Sequence, residues 1–236
     1  NSLFLIAHFH NVIIGGVLFG LFAAINFWWP KAFGYKLNVF WGKVSFWCWV
    51  VGFWVAFMPL YILGLMGVTR RMRVFDDPSL QIWFGIAAIG VALIAAGIGA
   101  MFVQFGVSIW KRKELRDETG DPWNGRTLEW ATSSPPADYN FAVAPVVRDL
   151  DAWHDMKQSG AVRPTSGFKD IHMPSNTGAG IILSGLCLAM GFALIWHIWW
   201  AAAATFIAVI GGAIYHTFNY KRDFHISAAT VTETED

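Results

Sequence analysis

The chain has 236 residues, of which 56% are hydrophobic and 14% are charged, against about 25% charged residues in an average soluble chain. Its formal net charge is +1 and it has two cysteines, so it shows neither the basic excess typical of a nucleic-acid partner nor a disulfide framework. These values exclude a disordered chain and an ordinary soluble enzyme, and they predict a polytopic membrane protein.

The hydropathy pattern predicts five membrane-spanning helices, because a span needs about 20 mostly apolar residues. The first three cover residues 3–29, 44–67 and 79–110, and the first is predicted to stop at Pro30 and Lys31. The chain opens without a methionine or a charged leader, which we interpret as a start inside a longer protein.

The second half of the chain alternates between polar and apolar stretches. Residues 111–177 are polar and predict an extramembrane loop. Residues 178–218 are about twice the spanning length, so they predict two helices that meet at a tryptophan-rich turn at residues 196–200. The predicted organisation is therefore three core spans (1–110), a loop (111–177), two peripheral spans (178–218) and a polar tail (219–236).

The lysines and arginines predict the orientation. Fourteen of the 17 fall in the linker after the first span, the loop and the tail. These three segments follow the first, third and fifth spans, so they lie on the same side of the membrane. The positive-inside rule makes that side, including the C-terminus, cytoplasmic. Arg70, Arg71 and Arg73 then lie outside, against the bias. They either extend to lipid phosphates or supply positive charge that an outer site requires.

Two histidines in the first span carry the chemical signal. His8 and His10 are two residues apart, which on a helix is about 200° of rotation and about 3 Å of rise. They leave nearly opposite faces, so they do not chelate one metal ion as an i, i+4 pair does. They are either hydrogen-bonding groups between helices or ligands of two different centres.

Haem is the cofactor that suits the second alternative, because imidazole is a common axial ligand and the walls of this span are apolar. Haem propionates pair well with arginine, and Arg70 and Arg71 are predicted on the same side as the start of this span. A complete haem or copper site needs more ligands than this chain offers, so partner helices are expected to supply them.

Other polar and small residues predict structure rather than chemistry. Gln104 and Ser108 are predicted to satisfy polar groups of neighbouring helices, and the loop residues Asp121, Arg126 and Glu129 predict an ion-pair cluster or a solvated surface. Cys48 and Cys187 lie in apolar runs, where no disulfide is expected and a thiol acts as a small hydrophobic group. Small-residue spacing predicts close helix packing. The small residues are Gly16, Gly20, Gly85, Gly90, Gly97 and Gly99.

Several motifs resemble one family. HFHNVI at residues 8–13 resembles the tenth core helix of subunit I of the haem–copper terminal oxidases. Four further segments are similar to the same family: WWPKAFG at 28–34, MPLY at 58–61, the pair Arg70–Arg71, and the loop GDPWNGRTLEW followed by SSPP. The segment HNVIIGG at residues 10–16 and the two extra C-terminal spans resemble the bacterial cytochrome bo-type ubiquinol oxidases of this family.

The resemblance implies an all-α membrane protein that forms the C-terminal part of subunit I. It implies that His8 is the iron ligand of a high-spin haem (haem o or a) and His10 an iron ligand of a low-spin haem (haem b). It implies propionate binding by Arg70 and Arg71, a packing role for Phe9 between the ligands, and copper held by residues outside this chain.

The resemblance also implies the activity, which is ubiquinol oxidation with reduction of oxygen to water and proton pumping in the bacterial inner membrane. The implied partners are the preceding helices of subunit I, other oxidase subunits and membrane lipids; no catalytic residue and no nucleic-acid partner is expected in this chain, which alone is expected to be inactive. Two alternatives stay open, a cytochrome c oxidase subunit I fragment and a cofactor-free scaffold or transporter subunit.

Overall fold

The computed structural model describes residues 1–74, 76–160 and 167–235. It is mainly helical, with two compact units. Among the described residues, one unit contains 1–138 and 146–160, and the other contains 139–145 and 167–235.

Three long helices build the first unit. Helix α1, Leu3–Phe33, is α-helical over Leu3–Val12 and Phe19–Phe33 and π-helical over Ile13–Leu18. Helix α2 is Val39–Leu65 and helix α3 is Pro78–Trp110. Each of the latter two begins at a capping side chain, because Asn38 accepts a hydrogen bond from the amide of Trp41 and Asp77 accepts one from the amide of Ser79.

The predicted end of the first span was wrong. The helix continues through Pro30 and Lys31 to Phe33, and Gly34 ends it with φ of 75° and a hydrogen bond from its amide to the carbonyl of Pro30. A proline removes one backbone donor without forbidding helical φ. Lys31 is 8% exposed, and its ammonium donates to the carbonyls of Gly120, Thr132 and Ser133. Its charge is therefore satisfied by the loop and does not force the chain out of the helix.

Small residues bring α2 and α3 together. A Cβ added to Gly90 would collide with the backbone of Ala56, and one added to Gly97 would meet Trp49. The hydroxyl of Ser45 donates to the carbonyl of Gly97 at 2.9 Å. The prediction of close packing is confirmed for these two glycines. At Gly16, Gly20, Gly85 and Gly99 a Cβ would meet nothing within 4 Å among the described residues, so close packing there stays a prediction.

A polar network crosses the three helices near their loop-side ends. The amide of Gln104, which is 2% exposed, donates to the side-chain oxygen of Asn26 at 2.9 Å and to the carbonyl of Asn38 at 3.2 Å. The hydroxyl of Ser108 accepts from the amide of Asn38 and donates to the carbonyl of Gln104. The predicted role of Gln104 and Ser108 as partners for neighbouring polar groups is confirmed.

The loop of the first unit is ordered around a short 3-10 helix, Leu128–Ala131, and helix α4, Ala152–Gln158. Asp121 accepts hydrogen bonds from the amide of Gly125, the indole of Trp153 and the ammonium of Lys157. Burial raises the pKa of Asp121, but these bonds and the charge of Lys157 outweigh it and hold the pKa below its ordinary value.

Of the two alternatives for Asp121, Arg126 and Glu129, the favoured one was a solvated surface, and the ion-pair cluster does not form among the described residues. Arg126 pairs with Asp151 at 2.6 Å, and Asp121 pairs with Lys157. No ion pair within the described ranges includes Glu129. The partners come from the segment around α4, about 30 residues further along the chain, so spacing within the motif did not reveal them.

The second unit contains two apolar helices and a small sheet. Helices α5, Ala179–Ile195, and α6, Trp199–Thr217, are joined by the tryptophan-rich turn that the sequence predicted. Strand β1, Ile171–Pro174, precedes them and pairs antiparallel with β2, Asp223–Ile226, which follows them. Helix α7, Ala228–Glu235, ends the unit, and its Glu235 accepts a hydrogen bond from Tyr139. Both strands lie in the segments expected to be a polar loop and a polar tail, and hydropathy did not predict them.

Four helices are long and apolar enough to cross a membrane, within the part of the chain that the structure describes. They are α1, α2, α3 and α6, whereas α5 is apolar but has 17 residues. The protein is therefore a multi-pass membrane protein. The count of five spans depends on α5 and stays a prediction, as does the four-part division of the chain. Cys48 and Cys187 are both free thiols, as expected.

Candidate functional site

His8 and His10 lie in the α-helical first part of α1, before its π-helical segment. The imidazole of His8 is exposed and that of His10 is half-buried. Two residues of a regular α-helix separate side chains by about 200°, so the rings leave α1 in nearly opposite directions. Between them lies Phe9, which is 38% exposed and touches the His10 ring at a centroid distance of 4.2 Å.

The imidazole ring of His10 is held in place by two contacts. Its Nδ1 lies 2.7 Å from the carbonyl oxygen of Ile6, one turn back on the same helix. Its ring stacks on Phe57 of α2, with a centroid distance of 4.6 Å and an interplanar angle of 19°. A hydrogen bond at Nδ1 selects the tautomer whose Nε2 carries the lone pair, which is the usual arrangement of a metal-ligating histidine.

His8 is held in a different way. Its ring lies parallel to that of Phe4, one turn back, with a centroid distance of 6.5 Å and an interplanar angle of 13°. No hydrogen bond to the His8 ring occurs within the described residues. Both of its nitrogens are thus available to a group outside this chain.

Arg70 and Arg71 are tied to the start of the same helix. The backbone of residues 68–70 pairs with residues 1–3, since the amide of Leu3 donates to the carbonyl of Val68 and the amide of Arg70 donates to the carbonyl of Asn1. The end of α2 also packs directly on α1, because a Cβ added to Gly64 would collide with the backbone of Phe4. The two arginines therefore lie beside the N-terminal end of α1, which is the end nearer to His8 and His10.

The two guanidinium groups are available at this end. Arg70 is half-buried and Arg71 is exposed with φ of 69°. The ion pairs found among the described residues include neither of them. Asp77, the nearby carboxylate that caps α3, is hydrogen-bonded instead to Ser79, which holds the pKa of its carboxyl below the ordinary value.

The described residues present single candidate ligands and not a complete metal site. The described residues contain no group of three or more His, Cys, Asp or Glu side chains placed to hold a metal ion. The two imidazoles leave opposite faces of α1 among apolar and aromatic side chains, and the guanidinium groups at one end have no acidic partner in the described residues. These features fit two haems that would each take one iron ligand from α1. None of the residues in the most apolar part of α1 is buried, which leaves its faces open to cofactors, lipid or partner helices.

The family profile described as "Cytochrome C and Quinol oxidase polypeptide I" matches residues 1–131, the part of the chain that carries these groups. The chain belongs to the cytochrome c and quinol oxidase polypeptide I family. The match covers α1, α2, α3 and the loop as far as the 3-10 helix, so the resemblance expected from the sequence motifs is confirmed.

Curated members of this family are similar over most or all of the chain. Cytochrome bo(3) ubiquinol oxidase subunit 1 of Buchnera aphidicola is 48% identical over the whole chain, and ubiquinol oxidase subunit 1 of Acetobacter aceti is 49% identical over the whole chain. A probable cytochrome c oxidase subunit 1 of Bradyrhizobium diazoefficiens is 51% identical over 90% of the chain. The chain covers 36%, 36% and 32% of these relatives, about a third of their length.

Sequence reasoning missed the aromatic neighbours of the histidines in this polypeptide I chain. Phe4 was detectable, because it stands four residues before His8 and helical neighbours at that spacing share a face. Phe57 was not, because it contacts His10 from another helix and no spacing along the chain relates them. Tyr61 was noted only within the MPLY motif, and its contacts with α1 came from the structure.

Proposed function

We propose that this chain is the C-terminal part of subunit I of a bacterial haem–copper terminal oxidase that oxidises ubiquinol and reduces oxygen to water. The observation that carries the proposal is the pair His8 and His10, which leave one helix in nearly opposite directions while the arginine-bearing backbone of residues 68–70 is hydrogen-bonded to the start of that helix. When bound, the haems supply electron transfer and oxygen binding.

In this proposal His8 ligates a high-spin haem iron and His10 ligates a low-spin haem iron, of the haem o (or a) and haem b types. The bond between Nδ1 of His10 and the Ile6 carbonyl keeps Nε2 directed away from the helix backbone. Phe9 is the single residue between the two ligands. The two centres are therefore close enough for rapid electron exchange. Copper and the remaining ligands come from helices outside this chain.

Arg70 and Arg71 bind propionate groups in this proposal. A guanidinium group presents paired donors that match the two oxygens of a carboxylate. Both arginines are free of acidic partners in the described part of the chain, and their backbone is fixed relative to the start of α1. The propionates that these residues would hold belong chiefly to the low-spin haem.

We further propose that the chain has five spans, with α5 as the fifth, and that it lies in the bacterial inner membrane with its C-terminus in the cytoplasm. The distribution of lysines and arginines supports this orientation. Proton pumping, ubiquinol binding and contacts with other oxidase subunits require the remaining two thirds of subunit I, so the isolated chain is expected to be inactive.

The test uses the assembled complex with single substitutions in this chain. His10→Ala is expected to abolish the reduced spectrum of the low-spin haem. His8→Ala is expected to abolish the signal that responds to carbon monoxide. His197→Asn is the matched control, because it removes a histidine from the turn between α5 and α6 while asparagine tolerates the φ of 55° at this position. Normal spectra in both His8→Ala and His10→Ala would refute the proposal.

A cytochrome c oxidase is the second candidate, since one similar relative is a probable cytochrome c oxidase subunit 1. The two candidates differ in the electron donor. Oxygen uptake by the purified complex with ubiquinol and no cytochrome c rejects the second candidate, whereas uptake that requires reduced cytochrome c rejects the first. A cofactor-free scaffold or transporter, the third alternative, predicts an assembled complex without haem.

A further inference from the structure

One tyrosine of α2 contacts α1 both one turn before and one turn after His8. The Tyr61 hydroxyl lies 2.6 Å from the side-chain amide nitrogen of Asn11, which donates to it. The Tyr61 ring meets the Phe4 ring edge to face, with a centroid distance of 5.0 Å. Phe4 and Asn11 stand four residues before and three residues after His8, positions that share its face of the helix.

The contacts of Tyr61 act on the side of α1 that carries His8. Phe4 is the residue whose ring stacks under the His8 imidazole. Asn11 holds the Tyr61 ring in place by donating to its hydroxyl, and the Tyr61 ring in turn supports Phe4. His8 makes no hydrogen bond of its own within the described ranges, so its direction depends on these neighbours.

His10 does not share this dependence. Its ring is held by the Ile6 carbonyl of its own helix and by Phe57 of α2. Tyr61 makes no ring contact or hydrogen bond with His10 among the described residues. The two histidines are therefore supported by two separate sets of side chains, although both sets join the same pair of helices.

We infer that Tyr61, held by Asn11, is a positioning residue for the high-spin centre alone: it orients the His8 imidazole through Phe4, and it leaves the His10 centre unaffected. The inference rests on the proposed roles of His8 and His10. It adds a residue on a second helix that distinguishes between the two centres.

The experiment substitutes Tyr61→Phe in the full oxidase complex, which removes the hydroxyl and keeps the ring against Phe4. The iron–histidine stretching band of the reduced high-spin haem is recorded by resonance Raman spectroscopy, together with the carbon monoxide difference spectrum. The midpoint potential and reduced spectrum of the low-spin haem are measured in the same sample. We expect a shifted iron–histidine band and an unchanged low-spin haem.

Three further variants sharpen the result. Asn11→Leu removes the same hydrogen bond from the other side, so it should produce the same shift, and the double variant should be no worse than either single one. Phe57→Leu should shift the low-spin haem instead. Tyr35→Phe, the same chemical change near the other end of the first unit, should shift neither.

Equal changes at both centres, or no change at either in Tyr61→Phe and Asn11→Leu, would overturn the inference. Failure of both variants to assemble would also overturn it, since the role of Tyr61 would then be in folding. Failure of the proposed function is recognised separately: if His8→Ala retains the haem that binds carbon monoxide, the assignment of His8 is wrong whatever Tyr61→Phe shows.

Discussion

His8 and His10 are neighbours in sequence but have different surroundings. The His10 ring is fixed by a hydrogen bond to its own helix, and the His8 ring lies parallel to that of Phe4, which contacts Tyr61 of α2. Their opposite directions followed from spacing alone, since the helical rotation per residue is constant. Their supporting residues did not follow, because contacts such as those of Phe57 and Tyr61 join distant parts of the chain.

Asp121 gives a prediction for the loop at the scale of one residue. Its carboxylate is 12% exposed and contacts Lys157 at 3.0 Å. Asp121→Asn keeps the shape and removes the charge, so we expect the loop to lose about 1–2 kcal/mol of stability at neutral pH. The rate of limited proteolysis of residues 111–160 in the complex measures this loss, and Asp138→Asn serves as the control.

The pH dependence of the same contact has a definite sign. The folded-state pKa of Asp121 lies below the unfolded value, which is about 3.9. Its contribution is therefore present above that unfolded value and is lost as the pH falls through the lower folded value. Below that range the wild type and Asp121→Asn should be cleaved at similar rates. A difference between them that persists undiminished in acid would contradict this explanation.

At the scale of the helices, hydropathy predicted the cores of the long helices well and their ends less well. The third predicted span, residues 79–110, differs from helix Pro78–Trp110 by one residue. The first extends four residues beyond its predicted end, because the ammonium of Lys31 is hydrogen-bonded to loop carbonyls that hydropathy does not consider. The π-helical segment Ile13–Leu18 carries no pattern that sequence reasoning used.

The contact between α2 and α3 predicts opposite effects for two glycines of one helix. Gly90→Ala introduces a methyl group into the backbone of Ala56, so we expect a loss of about 1–3 kcal/mol from overpacking. Gly99→Ala meets nothing within 4 Å, so we expect a gain of about 0.5–1 kcal/mol from helix propensity. Thermal or detergent-induced unfolding of the complex measures both. A loss in Gly99→Ala equal to that in Gly90→Ala would show that the contact is not the cause.

At the scale of the whole molecule, the chain matches only part of the length of its relatives. It belongs to the cytochrome c and quinol oxidase polypeptide I family and covers about a third of the relatives it matches. Its histidines and arginines are consistent with half of each of two cofactor sites. Membrane class and family followed from the sequence, since composition and motifs carry them. The remaining ligands of the proposed centres did not, since the proposal assigns them to segments outside this chain.

The orientation of the chain gives a prediction at this scale. A reporter fused after residue 235 is expected in the cytoplasm, and a cysteine introduced at Ile198, in the turn between α5 and α6, is expected to react with an impermeant reagent from outside. A cysteine in place of Asp149 is the matched control and should react only from the cytoplasmic side. Labelling of Ile198→Cys from the cytoplasmic side would show that α5 does not cross the membrane.

The most direct test of two centres on one helix is the reduced spectrum of the intact complex that contains this chain, recorded with and without carbon monoxide. Two haems, of which carbon monoxide shifts one, is the result that His8 and His10 on opposite faces of α1 predict. A properly assembled complex without haem, or with a single haem, would contradict the proposal that these histidines serve two different centres.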